Sequence, residues 1–219
     1  VIDRRTFLLT GAALLAGMPN LARARPSAPS DGLFPQEIEL TYESVELLRR
    51  ILPRVQRVGL MHDADSAADQ LHARQSLRLA EKIGVRFMPV GVRRAGDLER
   101  AFGILSAESA DAVIVQASLS FAGIHGRIVQ QAAASRLPAL YGAPEFAEAG
   151  GLVSLSQERA DRHSRPPMSA ARIPEGARPA ELPIDQPIKF ELIVNLRAAA
   201  VLGIAIPQSV ILRADRVIE

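Results

Sequence analysis

Apolar residues recur along this chain at two alternating spacings. Val45, Leu48 and Leu52 stand at helical spacing, with Leu47 and Ile51 widening the stripe. Thr41 is placed to cap that helix, and Pro53 stops it. On its outer face Glu46 and Arg50 stand four apart, the spacing of a helical ion pair. The short run Val58-Gly59-Leu60-Met61 then reads as a strand. Ala73, Leu77, Ala80 and Ile83 give a second helix, with Ser66 at its start and Gly84 closing it. Val85 to Val90 reads as a second strand. Leu98, Ala101, Phe102 and Leu105 form the buried face of a third helix that starts at Asp97. Ala112 to Val115 is apolar throughout, as a strand covered on both faces must be. Ile124, Ile128, Val129 and Ala132 mark a fourth helix, and Leu137 to Tyr141 a fourth strand. A turn at Gly142, one helical turn from Glu145 to Ala149 and a Gly150-Gly151 hinge lead into another strand.

Strands alternating with helices at this spacing imply right-handed crossovers and a parallel sheet with helices on both faces. The predicted fold class is therefore α/β, a doubly wound, flavodoxin-like lobe over residues 39–155. Residues 156–187 break the rhythm. Pro166, Pro167, Pro174, Pro179, Pro183 and Pro187 forbid a regular helix across this Pro- and Arg-rich stretch. The pattern returns in residues 188–219 as a strand-helix tail. Phe190 to Val194 reads as a strand, Asn195 caps a short helix closed by Gly203, and Val210 to Val217 forms a last amphipathic turn.

Ahead of the lobe, Arg4-Arg5 precede an apolar run from Phe7 to Met18, followed by Pro19 and the Ala22-Arg23-Ala24 cleavage pattern. Residues 1–24 are predicted to be a signal peptide cleaved after Ala24, which implies export to the periplasm. The run is too short for a stable membrane span, so none is expected after cleavage. Arg4-Arg5-Thr6-Phe7-Leu8 is similar to the twin-arginine motif, with Asp3 where that motif usually has Ser or Thr, so twin-arginine and Sec routes both stay open. Residues 25–38, with Pro26, Pro29, Asp31 and Gly32, read as a linker.

Composition narrows the chemistry. The 219 residues carry a net charge of +2 without a basic stripe, and only 4% are aromatic, which argues against nucleic acid. Cysteine is absent, which excludes disulfides, thiolate metal sites and cysteine nucleophiles. The four histidines, 62, 72, 125 and 163, lack metal-site spacing. The chain also lacks G-x-S-x-G, G-x-G-x-x-G and P-loop patterns. Neither a catalytic activity nor a cofactor is expected.

Arg136 to Leu152, R-L-P-A-L-Y-G-A-P-E-F-A-E-A-G-G-L, resembles a segment of the tryptophan/tyrosine-type substrate-binding proteins of ABC importers. Lys189 to Leu196, Leu202 to Pro207 and Leu212 to Glu219 resemble the end of the same family, in the same order. The resemblance implies a periplasmic binding protein that closes two lobes on a small solute, often an amino acid, and hands it to an inner-membrane permease. Residues 39–155 resemble the second lobe. A first lobe needs on the order of 100 residues, and only 25–38 stand between the signal segment and Glu39. A shortened homologue is expected. One alternative is an exported remnant that binds nothing; another is a flavodoxin-like enzyme or regulatory domain.

In such a lobe ligands sit at the carboxyl ends of strands. The first end offers His62, Asp63, Asp65 and Ser66, the third Gln116, Ser118 and Ser120, and the fourth Tyr141, Gly142 and Glu145. Ser66 and Ser120 can present helix N-terminal amides to a carboxylate, and Glu145 can meet an ammonium. The resemblance carries over by loop, since the family's binding loops fall at these ends. Where the family often has an Asn-Pro-type turn, this chain has Asp63-Ala64-Asp65. Structural readings stand beside these: His62 as a strand-end polar residue, Asp63 and Asp65 as turn and cap residues, Ser118 and Ser120 as the end of a strand and start of a helix, and Tyr141 as core.

Overall fold

The computed structural model describes residues 35–157 and 189–219. The signal segment expected at 1–24, most of the linker expected at 25–38 and nearly all of the Pro- and Arg-rich segment lie outside the described residues. The elements are α1 (Pro35–Ile51), β1 (Arg57–Asp63), α2 (Ala67–Ile83), β2 (Arg86–Val92), α3 (Leu98–Ala107), β3 (Ala112–Val115), α4 (His125–Ala134), β4 (Ala139–Tyr141) and α5 (Pro144–Glu148), followed by β5 (Val153–Gln157), β6 (Phe190–Asn195), α6 (Leu196–Leu202), α7 (Gln208–Ile211) and β7 (Arg216–Ile218).

The strands form one sheet in the order β2-β1-β3-β4-β5-β6-β7. Strands β1 to β5 are mutually parallel. Their order is that of flavodoxin-like doubly wound sheets. Strand β6 runs antiparallel to β5, and β7 parallel to β6. The tail that the sequence sets apart thus extends the lobe's own sheet.

Strand periodicity sorts the apolar side chains into two layers. Val58 and Leu60 of β1, Ala112 and Ile114 of β3 and Leu140 of β4 pack with Val45 and Leu48 of α1 and Ala73 and Ala80 of α2. Met61, Val113, Val115 and Tyr141 point the other way, onto Phe102 and Leu105 of α3, Ile128 of α4 and Phe146 of α5. Side chains such as Leu48 and Leu105 are essentially fully buried. Truncating one to alanine costs about 2–5 kcal/mol in such a setting. Among the described residues no helix is long and apolar enough to cross a membrane.

The predicted caps of two helices are present. Ser66 Oγ accepts the Asp69 amide at the start of α2, and Gly84 closes that helix; Asn195 Oδ1 accepts the Ala198 amide at the start of α6, and Gly203 closes it. Four expectations need correction. Helix α1 begins at Pro35, ahead of the expected Thr41 cap, because proline in a first helical turn has no amide to lose. Thr41 is therefore inside the helix and buried. The expected Glu46–Arg50 pair gives way to Glu46–Arg49 at 2.9 Å, since Arg49 also reaches the carbonyl of Ile83 at the end of α2. A short 3-10 turn, Leu119–Gly123, precedes α4, so Ile124 stands just outside that helix. The expected last turn over Val210 to Val217 divides into α7 and the strand β7, which pairs with β6.

Candidate functional site

Strand parity divides the predicted site residues between the two faces of the sheet. Asp63, the last residue of β1, follows Met61 toward the α3 side. Its Oδ1 accepts the Asp65 amide at 2.8 Å, and its Oδ2 accepts the Ser118 hydroxyl at 3.4 Å. Ser118 Oγ lies 3.2 Å from Ser120 Oγ. Burial acts to raise the Asp63 carboxyl, but the Asp65 amide, the Ser120 and Ser118 hydroxyls and the Ser66 amide together hold it below the usual carboxylate range. This network ties the end of β1 to the loop after β3.

The other residues of the first strand end do separate work. The Asp65 carboxylate is exposed and pairs with Arg93 at 3.0 Å. Ser66 is the cap of α2, with its hydroxyl on Asp69 at 2.9 Å. The His62 ring is half-buried beside the Leu60 carbonyl.

Tyr141 belongs to the core. It is 1% exposed, and its ring stacks on Phe146 at a centroid distance of 4.8 Å. Burial pushes its hydroxyl pKa well above the ordinary value. The reason is parity: Tyr141 is one residue out of step with the strand positions that face α1 and α2. Glu145 is half-buried in the first turn of α5, outside the cavity described next. Gly150 has φ +102°, which favours glycine, and a Cβ on Gly151 would stand 2.5 Å from the Tyr141 ring. The pair lets the chain pass over Tyr141 into β5.

On the α1/α2 side the carboxyl ends of β3 and β4 open into a cavity of about 200 Å³. Its floor continues the buried rows of the strands: Gln116 follows Ile114 and Gly142 follows Leu140, with Gln157 of β5 beside them. Gly142 must be small, since a Cβ there would stand 2.6 Å from the Ala117 amide nitrogen. Helix α1 contributes Glu37, Leu40, Thr41 and Ser44 to the walls, and α2 contributes Asp69 and His72.

Sequence reasoning missed these helical residues. The Thr41 hydroxyl donates to the Glu37 carbonyl at 3.0 Å and lies 2.9 Å from His72 Nε2. A hydroxyl has one proton, so His72 Nε2 carries the hydrogen of that second bond. Burial pushes the His72 imidazole down to about 4, against the upward pull of the Glu37 carbonyl and the Asp69 carboxylate. The ring is neutral at pH 7. Partial cover first, and Asp69 second, hold the Glu37 carboxyl above its usual range.

Gln116 is 6% exposed, and neither its Oε1 nor its Nε2 has a hydrogen-bond partner. Native interiors rarely leave an amide in that state. The structure thus brings Gln116 and Gly142 into the cavity, joins Asp63, Ser118 and Ser120 in a separate network to which Asp65 and Ser66 lend their backbone amides, and places His62, Tyr141 and Glu145 outside the cavity lining. Among the described residues no group of three or more histidine or carboxylate side chains is placed to hold a metal ion.

Known structures share this architecture. An ABC domain from Streptococcus pneumonia, in complex with L-Trp, superimposes with a TM-score of 0.65 at 24% identity, over 81% of this chain and 62% of its own. A conserved domain protein from Vibrio cholerae gives 0.62 at 25% identity, over 81% and 60%. The ligand-free, open form of a substrate binding protein with adhesive properties from Clostridium difficile gives 0.63 at 17% identity, over 81% and 59%. The chain therefore spans about three-fifths of the length of these structures. No curated protein matches the sequence. The sequence pattern of the family described as ABC transporter substrate binding protein matches residues 26–218, nearly the whole chain, and the chain belongs to that family.

Proposed function

We propose that this chain is the solute-binding component of an ABC importer, that it works in the periplasm, and that it presents a small solute to an inner-membrane permease. It does no chemistry on that solute. The observation that carries the reading is the cavity at the carboxyl ends of β3 and β4, floored by the unpartnered Gln116 amide. Strand ends are where doubly wound sheets hold ligands, and an unpaired buried amide is what a polar solute satisfies. The twin arginines and the Ala22-Arg23-Ala24 pattern support export.

The test is thermal unfolding of the chain with a panel of amino acids, amines, organic acids and sugars. Circular dichroism is the readout, because tryptophan is absent. A solute bound only by the native state raises its stability by about 2.7 kcal/mol at a hundredfold excess over the dissociation constant. A cooperative melt that moves up with one class of solute is the expected result. A cooperative melt that no solute moves overturns the reading and favours an exported lobe that folds without binding.

A further inference from the structure

Among the described residues, the charged side chains that line the cavity are Glu37 and Asp69, and no lysine or arginine lines it. His72, the remaining titratable group in the wall, is neutral at pH 7. From these residues a carboxylate entering the space meets two acids and no cation. Asp69 has one oxygen engaged by the Ser66 hydroxyl, while its Oδ2 is buried and without a partner. Gln116, 6% exposed on the floor, leaves both a donor and an acceptor unused. Leu40, Ile114 and Leu140 supply apolar wall. At about 200 Å³, the space lies below the roughly 300–1,000 Å³ typical of drug-sized ligands. The ligand is compact.

We propose that this cavity takes the ammonium end of a small organic cation, with the Asp69 carboxylate meeting the ammonium and the Gln116 amide holding a hydroxyl or carbonyl of the same molecule. The proposal rests on the solute-binding reading and gives it a chemical class. It also moves the cationic end of the solute from Glu145, the sequence-based choice, to the gap between α1 and α2. Two residues on different elements, Asp69 on α2 and Gln116 after β3, line one space and carry three unpaired buried atoms between them, and a hydroxyalkyl ammonium has the groups to pair with both. Glu37, at the start of α1, adds a second negative charge to the wall.

Isothermal titration of the whole chain at pH 7 with three compounds of similar size tests this: ethanolammonium, ethylene glycol and glycolate. Heat of binding is expected from ethanolammonium alone. Asp69→Asn weakens that binding by at least about tenfold, the scale of a lost hydrogen bond to a charged group. Gln116→Leu weakens it while the free variant melts no lower than wild type, because an apolar side chain removes an unpaired buried amide. Glu37→Gln, on a more exposed turn, supplies a second charge-removing variant and lowers affinity by a smaller factor.

Three results overturn the proposal: no heat from ethanolammonium, equal binding of glycolate, or ethanolammonium binding that survives both Asp69→Asn and Gln116→Leu. A different solute whose effect on the melt survives those two substitutions leaves the solute-binding reading standing and removes only this assignment. Silence from the whole panel and from ethanolammonium removes both.

Discussion

Asp63 fixes how the carboxyl end of β1 turns toward the next helix. Its two oxygens hold the Asp65 amide and the Ser118 hydroxyl, and alanine there leaves those donors unpaired in a largely covered site. Asp63→Ala is expected to cost about 1–3 kcal/mol in urea denaturation at neutral pH. The cost is pH-dependent. The folded-state pKa lies below the ordinary value of an aspartate, so the stabilisation is complete above the unfolded pKa and is lost as pH falls through the folded one. The gap between wild type and variant should therefore close in acid; an equal gap at both ends of the range would mean that the charge contributes nothing. The same residue shows how far a strand end can be read from sequence. Asp63, Gln116, Tyr141 and Gly142 all stand visibly at strand ends. What separates them is parity, since Gln116 and Gly142 keep step with Ile114 and Leu140, whereas Asp63 and Tyr141 keep step with Met61 and Ala139. That division was available from the alternation of apolar residues, but only once it was known which face α1 and α2 would cover.

At the scale of elements, α1 and α2 are joined by the bond between Thr41 and His72. Both residues stand on the helix stripes that otherwise carry Val45, Leu48, Ala73 and Ala80. A polar residue on an apolar stripe was the signal for the cavity, and reading Thr41 as a cap concealed it. Most other elements were legible because their chemistry is local: Ser66 and Gly84 bound α2, and an all-apolar run marks β3. The link has a pH signature. Burial holds the His72 pKa at about 4 in the folded chain, against about 6.5 for an ordinary histidine. Between those values the unfolded chain binds the extra proton, so folding loses stability as pH falls from about 6.5 toward 4, by roughly 3 kcal/mol in full. His72→Gln, which keeps an amide donor and cannot titrate, should flatten this part of the pH–stability curve. Denaturation midpoints of both proteins at pH 4.5 and 7 check it. Parallel curves would mean that the buried ring is not the group responsible.

For the whole molecule, the decisive feature is that the tail completes the sheet. No local pattern announces this: Phe190 to Val194 reads as a strand in isolation, and its neighbour could only be chosen by seeing which edge of the lobe remained open. In the structure β6 pairs with β5 from Gln157↔Phe190 to Val153↔Val194. Leu192, Ile193 and Val194 are at most 5% exposed. Polar groups reinforce the join. Asn195 Nδ2 donates to the Ala147 carbonyl at 3.3 Å, Asp215 accepts the Leu192 amide at 2.8 Å, and Arg216 pairs with Glu148 at 2.7 Å. A chain stopped after Gln157 would turn β5 into an open edge, leave the Ala147 carbonyl without this donor, and uncover Val153 and Leu155. Burial of Leu192, Ile193 and Val194 alone is worth about 1.5–3 kcal/mol each, a sum comparable with the roughly 5–15 kcal/mol that holds a domain folded. The shortened chain is therefore expected to lose its cooperative thermal transition while keeping some helical circular dichroism, and to bind a hydrophobic dye that the full chain does not. A cooperative melt within a few degrees of the full chain would show instead that residues 35–157 fold without help, and that the tail is an addition to a lobe already complete.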